Sequence, residues 1–167
     1  ATDHWLCRVE CLRRHFPEFE VPEFDEEAKE AILEWVAFEC TTAKEFRNAE
    51  IQPALEEWLG PELRSSLDQL VPATVEIPGR KRPVSIHYTD PDKPRLSLRI
   101  QEALRLDAHP TIASGRIRLT LELLAPNQRP VQITEDLPSF WNTSYPAIRK
   151  ELRGRYPKHD WPENPQP

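Results

Sequence analysis

The feature that most restricts this chain is a change of hydrophobic period at Val71-Pro72. Before it, apolar residues recur three and four positions apart; after it, they alternate with polar ones in runs of five or six. One element type cannot serve both periods, so the expected class is α+β, with helices and strands segregated along the sequence. Charge shifts at the same place. Residues 1–70 carry 7 Lys/Arg against 17 Asp/Glu, a net of −10, whereas residues 71–167 carry 15 against 11, a net of +4. The expected domains are an acidic helical bundle over 1–70, a β domain over 71–135, and a helical extension with a tail over 136–167.

In the bundle, Trp5, Val9, Leu12 and Phe16 form one helical stripe. His4, Cys7, Cys11 and His15 share the other face, a combination zinc favours. One helix cannot wrap four ligands around a tetrahedral ion, and no second Cys/His cluster completes the shell, so a structural role is expected. Asp25 is placed as the N-cap of a second helix running to about Cys40, with Ile32, Trp35 and Val36 facing inward. The acidic tetrapeptide at 25–28 precedes a helix rather than ending a buried strand, which excludes an ATPase metal-binding motif. Ile51, Leu55, Trp58 and Leu59 form a further stripe closed by Gly60-Pro61, and Leu63, Leu67 and Leu70 another.

Beyond Pro72, ATVEI, PVSIHY, RLSLRI, IRLTLELL and the segment from Val131 to Ile133 read as five short strands. A short helix, QEALRL, and a loop precede the fourth. This pattern fits a small OB-like antiparallel β-barrel, the expected fold, although strand pattern alone would also fit other small barrels or an open sheet. From Asp136 the chain turns helical, with Leu137, Trp141, Tyr145, Ile148 and Leu152 on one side. Pro146 either starts a second helix or kinks a longer one. Gly154 is expected to end it, leaving an extended proline-rich tail.

Most catalytic classes lack their residues here. The chain has four glycines and no GxxxxGK[ST], so no phosphate-cradling loop is present. Its serines lack a nucleophile elbow, and His159 beside Asp160 cannot aim with it at one point, so no catalytic residues and no metal site are expected. No run reaches the ~18 apolar residues of a transmembrane helix, and no signal peptide is evident, so no membrane role and a cytoplasmic location are expected. Cys7, Cys11 and Cys40 are then expected to be reduced. A start at Ala1 and the lack of methionine suggest a piece of a longer protein.

Fixed positive charge is the stronger signal. Arg80, Lys81 and Arg82 crown a strand turn, Arg116 and Arg129 flank the later strands, and Arg149, Lys150, Arg153, Arg155 and Lys158 follow. Trp141, Tyr156 and Trp161 are interleaved with them as stacking or packing residues. Cations that neutralise phosphates, beside aromatic faces on which bases stack, are what single-strand binders use.

The string RPVQITEDLPSFWNTSYPAIRKELRGRYPKHDWPENP closely resembles the C-terminal signature of HrpB-type bacterial DEAH-box helicases. The resemblance extends through VEIPGRKRPVSIHY, RLSLRIQEAL and SGRIRLTLELLAP, covers roughly 71–165, and is looser over 1–70. It implies a parent that is an ATP-dependent nucleic-acid helicase, with two RecA-like motor domains, a winged helix and more of the helical bundle outside this chain. ATP and magnesium are implied for that parent and no cofactor for this chain. Two departures stand out: LRLD after QEAL, where the family has a glycine, and Ala125 where it has a serine. The first bears on the loop after Leu104. The expectation is a non-catalytic accessory region that guides single-stranded nucleic acid, RNA above DNA, and couples it to the motor. The alternative is a module that clamps the motor or binds another protein without touching nucleic acid.

Overall fold

The computed structural model describes residues 1–165; Gln166 and Pro167, the end of the expected tail, lie outside the described residues. The chain divides into two compact units, residues 1–72 and the remainder from Ala73.

The first unit consists of α1 (Thr2–His15), α2 (Glu26–Glu39), α3 (Ala43–Asn48), α4 (Gln52–Leu59) and α5 (Pro61–Leu70). The Asp25 side chain accepts from the Ala28 amide at 2.8 Å, capping α2 as its sequence implies. Thr42 and Glu45 close a capping box around α3, a helix the apolar periodicity does not reveal. Leu12, Leu55 and Leu67 are fully buried, each contributing on the order of 2 kcal/mol by leaving water. Buried Arg8 joins α1 to the end of α5: its Nε donates to Val71 O at 2.8 Å and its Nη2 pairs with Asp68 at 3.1 Å. A backbone carbonyl at a helix C-terminus is thereby satisfied.

Two expectations for this unit are corrected. Cys11 is not on an outer face with His4 and Cys7 but in the core, its Sγ 3.6 Å from His15 Nδ1. Trp35 is not an inward residue. It stays 38% exposed, donating to Glu39 at 3.3 Å, because Ile32 and Val36 already fill the inner side of α2. All three cysteines are free thiols. Among the described residues no group of three His, Cys, Asp or Glu is arranged to hold a metal ion, and no helix is long and apolar enough to cross a membrane.

The second unit is α+β, but its described residues form no closed barrel. β1 (Thr74–Val75) pairs antiparallel with β2 (Val84–Ser85), and β4 (Thr111–Ile112) with β5 (Ile117–Arg118). The main sheet has the order β3 (Arg95–Arg99), β6 (Thr120–Leu124), β7 (Pro130–Thr134). β3 and β6 run parallel, with Arg95 opposite Thr120 and Arg99 opposite Leu124. The OB-like expectation fails for two physical reasons. Pro83 and Pro110 lack the amide a ladder requires and stand immediately before β2 and β4, which, like β1, are only two residues long. A parallel pair also needs a crossover, which α6 (Ile100–Ala103) and the segment up to β5 supply.

In β3 and β6 the leucines at 96, 98, 121 and 123 are fully buried on one face, with α6 packed on both strands. Beyond the sheet, α7 (Leu137–Thr143) and α8 (Tyr145–Arg155) pack together, with Pro146 opening the second helix. The Asp136 side chain caps α7 by accepting from Ser139 N at 3.1 Å. Gly154 does not terminate α8, which runs one residue further to Arg155.

Candidate nucleic-acid interface

The site is built outward from one buried carboxylate. Glu102 stands in the first turn of α6 and accepts from the Arg99 amide at 3.0 Å, the return bond of a capping box. Only 3% of Glu102 is exposed. Its second oxygen accepts from Arg80 at 2.6 Å, and the Arg99 guanidinium lies 3.3 Å from the first. Burial pushes this carboxyl up, but the Arg99 amide and the Arg80 guanidinium outweigh burial and hold it below the usual carboxylate value.

Arg105, one turn on, donates to Pro78 O at 3.4 Å and lies across Gly79. Gly79 has φ +78°, and a Cβ there would come within 3.0 Å of the Arg105 Nη1. The glycine therefore permits both the tight turn and the close approach of the guanidinium. The segment after Leu104 needs no glycine: Arg105 N bonds Glu102 O and Leu106 N bonds Ala103 O, and none of residues 104–107 has a positive φ.

Arg80, Lys81, Arg99 and Arg105 together line a cleft of about 370 Å³, with Glu102 as its one carboxylate. Four cations around one anion leave a strong positive excess in a space lined by polar groups. Such a cleft suits phosphate oxygens, which guanidinium forks bind in pairs.

The expected site residues divide by location. Arg80 and Lys81 lie in the cleft; Arg82 is exposed beside them. Arg129 is exposed in the β6–β7 turn, next to Gln128, which lines the same cleft. Arg116 is exposed in the turn between β4 and β5 and does not line it. Lys150, Arg153, Arg155 and Lys158 are exposed along α8 and beyond, with Arg155 4.0 Å from Glu151. Arg149 is engaged: its Nε donates to Trp161 O at 2.7 Å, and Nη2 lies 3.6 Å from Glu163.

Two of the three aromatic candidates are packing residues. Trp141 and Trp161 are buried, and Trp141 meets Tyr145 edge-on with centroids 5.0 Å apart. Tyr145 OH donates to Pro162 O at 2.7 Å, the Trp161 indole donates to Tyr156 O at 2.8 Å, and Gln101 donates to Asp160 O at 3.2 Å. The end of the described chain is thus strapped to α8 and α6 rather than extended away from them. Tyr156 is half-buried, its ring edge-on to His159.

Arg99 and Arg105 are the cations that sequence reasoning missed. Arg99 carried a signal, because it alternates with Arg95 and Ser97 on the polar side of β3. Arg105 carried none; its place in the cleft depends on the distant Pro78-Gly79 turn.

Comparison with known proteins gives the family of the chain. A family model described as ATP-dependent helicase C-terminal matches residues 33–165, which includes most of the helical unit. The ATP-dependent RNA helicase HrpB of Escherichia coli strain K12 is 40% identical over 162 residues, covering 95% of this chain and 20% of the relative. A crystal structure of the E. coli DExH-box NTPase HrpB superposes with a TM-score of 0.86 at 38% identity, over 98% of this chain and 20% of that one. Another, of the E. coli DEAH/RHA helicase HrpB, gives 0.75 at 35% identity, over 95% and 20%. This chain therefore spans about a fifth of the length of the relatives it matches, and it belongs to the HrpB-type ATP-dependent helicase C-terminal family.

Proposed function

We propose that this chain is the accessory C-terminal region of an ATP-dependent RNA helicase, and that it guides a single strand toward motor domains borne elsewhere on the parent. The observation that carries this reading is the cationic cleft, lined by four cations of which two, Arg80 and Arg99, are held by the buried carboxylate of Glu102. Arg82 and Arg129 extend the same phosphate track, with Arg116 a further contact. Coupling to the motor is the companion role. On this reading ATP and magnesium act in the parent's motor domains, since this chain's sequence carries no phosphate-cradling glycine loop. Nucleotide turnover belongs to the rest of the parent.

Binding of a labelled oligouridine strand across a salt series tests this. Each phosphate contact adds ~0.7 to the slope of log affinity against log salt on single strands. Replacing Arg80, Lys81 and Arg82 together by Ala should weaken binding and reduce the slope by about two. Unchanged affinity and slope in that variant would rule the reading out. The second reading, a clamp that holds the motor or another protein, is favoured by the strap of residues 156–162 on α8. On that reading strand binding is absent, and Arg149→Ala, which removes the strap's bond at Trp161 O, weakens association with the motor domains.

A further inference from the structure

The outer face of the main sheet carries a second cleft, of about 540 Å³, with different chemistry. His87 and Arg95 exchange both backbone hydrogen bonds, at 2.8 and 2.9 Å, so they stand directly opposite with side chains on one face. Ser97 lies two residues along β3 on that face, and Glu122 is its partner in register on β6. Glu122 accepts from Arg95 at 3.0 Å through one oxygen and from the Ser97 hydroxyl at 3.2 Å through the other. Lys93 and Asp90 also line the cleft, which makes its fixed charges balance. A charge-balanced space with donors beside acceptors suits a neutral polar ligand rather than a phosphate.

We propose that this cleft is a subsite for one unpaired guanine base. The inference rests on the strand-guiding reading above and gives that site a sequence preference. Each Glu122 oxygen keeps acceptor capacity beyond its present bond, and Arg95 keeps most of its donors. A carboxylate next to a guanidinium complements an edge bearing two adjacent N–H groups beside a carbonyl. Guanine presents that edge. Adenine offers one amino group beside an acceptor, uracil one N–H between two carbonyls, and cytosine one amino group beside two acceptors. His87 supplies an exposed ring on which a base can stack. Arg99, four residues from Arg95 on the same face of β3, lines the cationic cleft about 13 Å away. A strand can therefore place a base in one cleft and its backbone in the other.

The test uses the 167-residue chain with ten-nucleotide oligouridines bearing a central guanosine, inosine, adenosine or uridine. Guanosine should bind about tenfold tighter than uridine, the size of one good bidentate contact. Inosine, which lacks the second N–H, should lose most of that gain. Glu122→Gln should abolish the preference, and its lost negative charge should shift the affinity of all four strands alike. Equal binding of all four strands, or a preference that survives Glu122→Gln, overturns the subsite. If no strand binds at all, the guiding reading fails separately. Titration with guanosine 5′-monophosphate then decides the subsite alone: amide shifts at Ser97 and Glu122 that adenosine 5′-monophosphate does not cause support it, and their absence overturns it.

Discussion

At Gly79 a single missing methyl group sets the geometry of the cationic cleft. The residue sits at φ +78°, where an L side chain costs about 1–2 kcal/mol. A new Cβ would also press on Arg105 at 3.0 Å, a contact the long side chain relieves by swinging away. Gly79→Ala is therefore expected to lower stability by about 1 kcal/mol in urea unfolding and, separately, to weaken strand binding by displacing Arg105. Pairing it with Arg105→Ala separates the two effects: the stability loss should remain, while Gly79→Ala should weaken binding no further in the Arg105→Ala background. An additive loss of binding in the double variant would show that Gly79 acts by another route. Glu102 illustrates the same scale of control, because one buried carboxylate fixes two arginines that would otherwise repel each other.

Among the elements, α7 is positioned by a histidine rather than by its own sequence. Buried His109 donates from Nε2 to Leu119 O at 2.6 Å and accepts at Nδ1 from Leu137 N, the first amide of α7, at 3.0 Å. These roles require the neutral ring. Burial lowers its pKa, and Arg118 adds to this, against the raising effects of the Leu119 carbonyl, Asp136 and Glu135. The unfolded chain therefore binds this proton more readily than the folded one, and stability falls as pH drops below about 6.5 toward the lowered folded value. Thermal melts from pH 7.5 to 5 should show this decline, and His109→Leu should flatten it while costing about 1–3 kcal/mol at neutral pH from unpaired backbone groups. A melting temperature independent of pH in the native chain would remove His109 from this role.

The elements were legible where local chemistry decides them and obscure where partners do. Asp25 and Asp136 announce helix starts, and Leu96 and Leu98 announce a strand with one buried side. The Thr42-to-Glu45 spacing carries a capping-box signal for α3 that apolar periodicity hides. The parallel pairing of β3 with β6 could not be read, since alternation records a buried face but not the direction of the neighbouring strand. The cleft was half visible: a run of three cations marks Arg80 and Lys81, whereas Arg105 enters only through a contact 26 residues away in sequence, at Gly79. The tryptophans were ambiguous because the same residue type packs cores and stacks bases; burial of Trp141 and Trp161 assigns both to packing.

For the whole molecule the governing fact is charge segregation, −10 over residues 1–70 against +4 over the rest. An acidic unit covalently tied to a cationic one lowers the potential felt by an approaching polyanion such as the proposed strand. Residues 73–167 contain their own buried core, including Leu96, Leu98, Leu121, Leu123, Trp141 and Tyr145, and are expected to fold when expressed alone. Freed of the acidic unit, they should bind an oligouridine strand severalfold more tightly than the full chain at low ionic strength. The gap should narrow as added salt shortens the screening length below about 10 Å, because exposed charges further apart than that no longer act on the strand. Parallel salt titrations of the two proteins check this. Equal affinities at every salt concentration would mean that the acidic unit is electrostatically silent toward the strand. Tighter binding by the full chain would mean that it contributes contacts of its own.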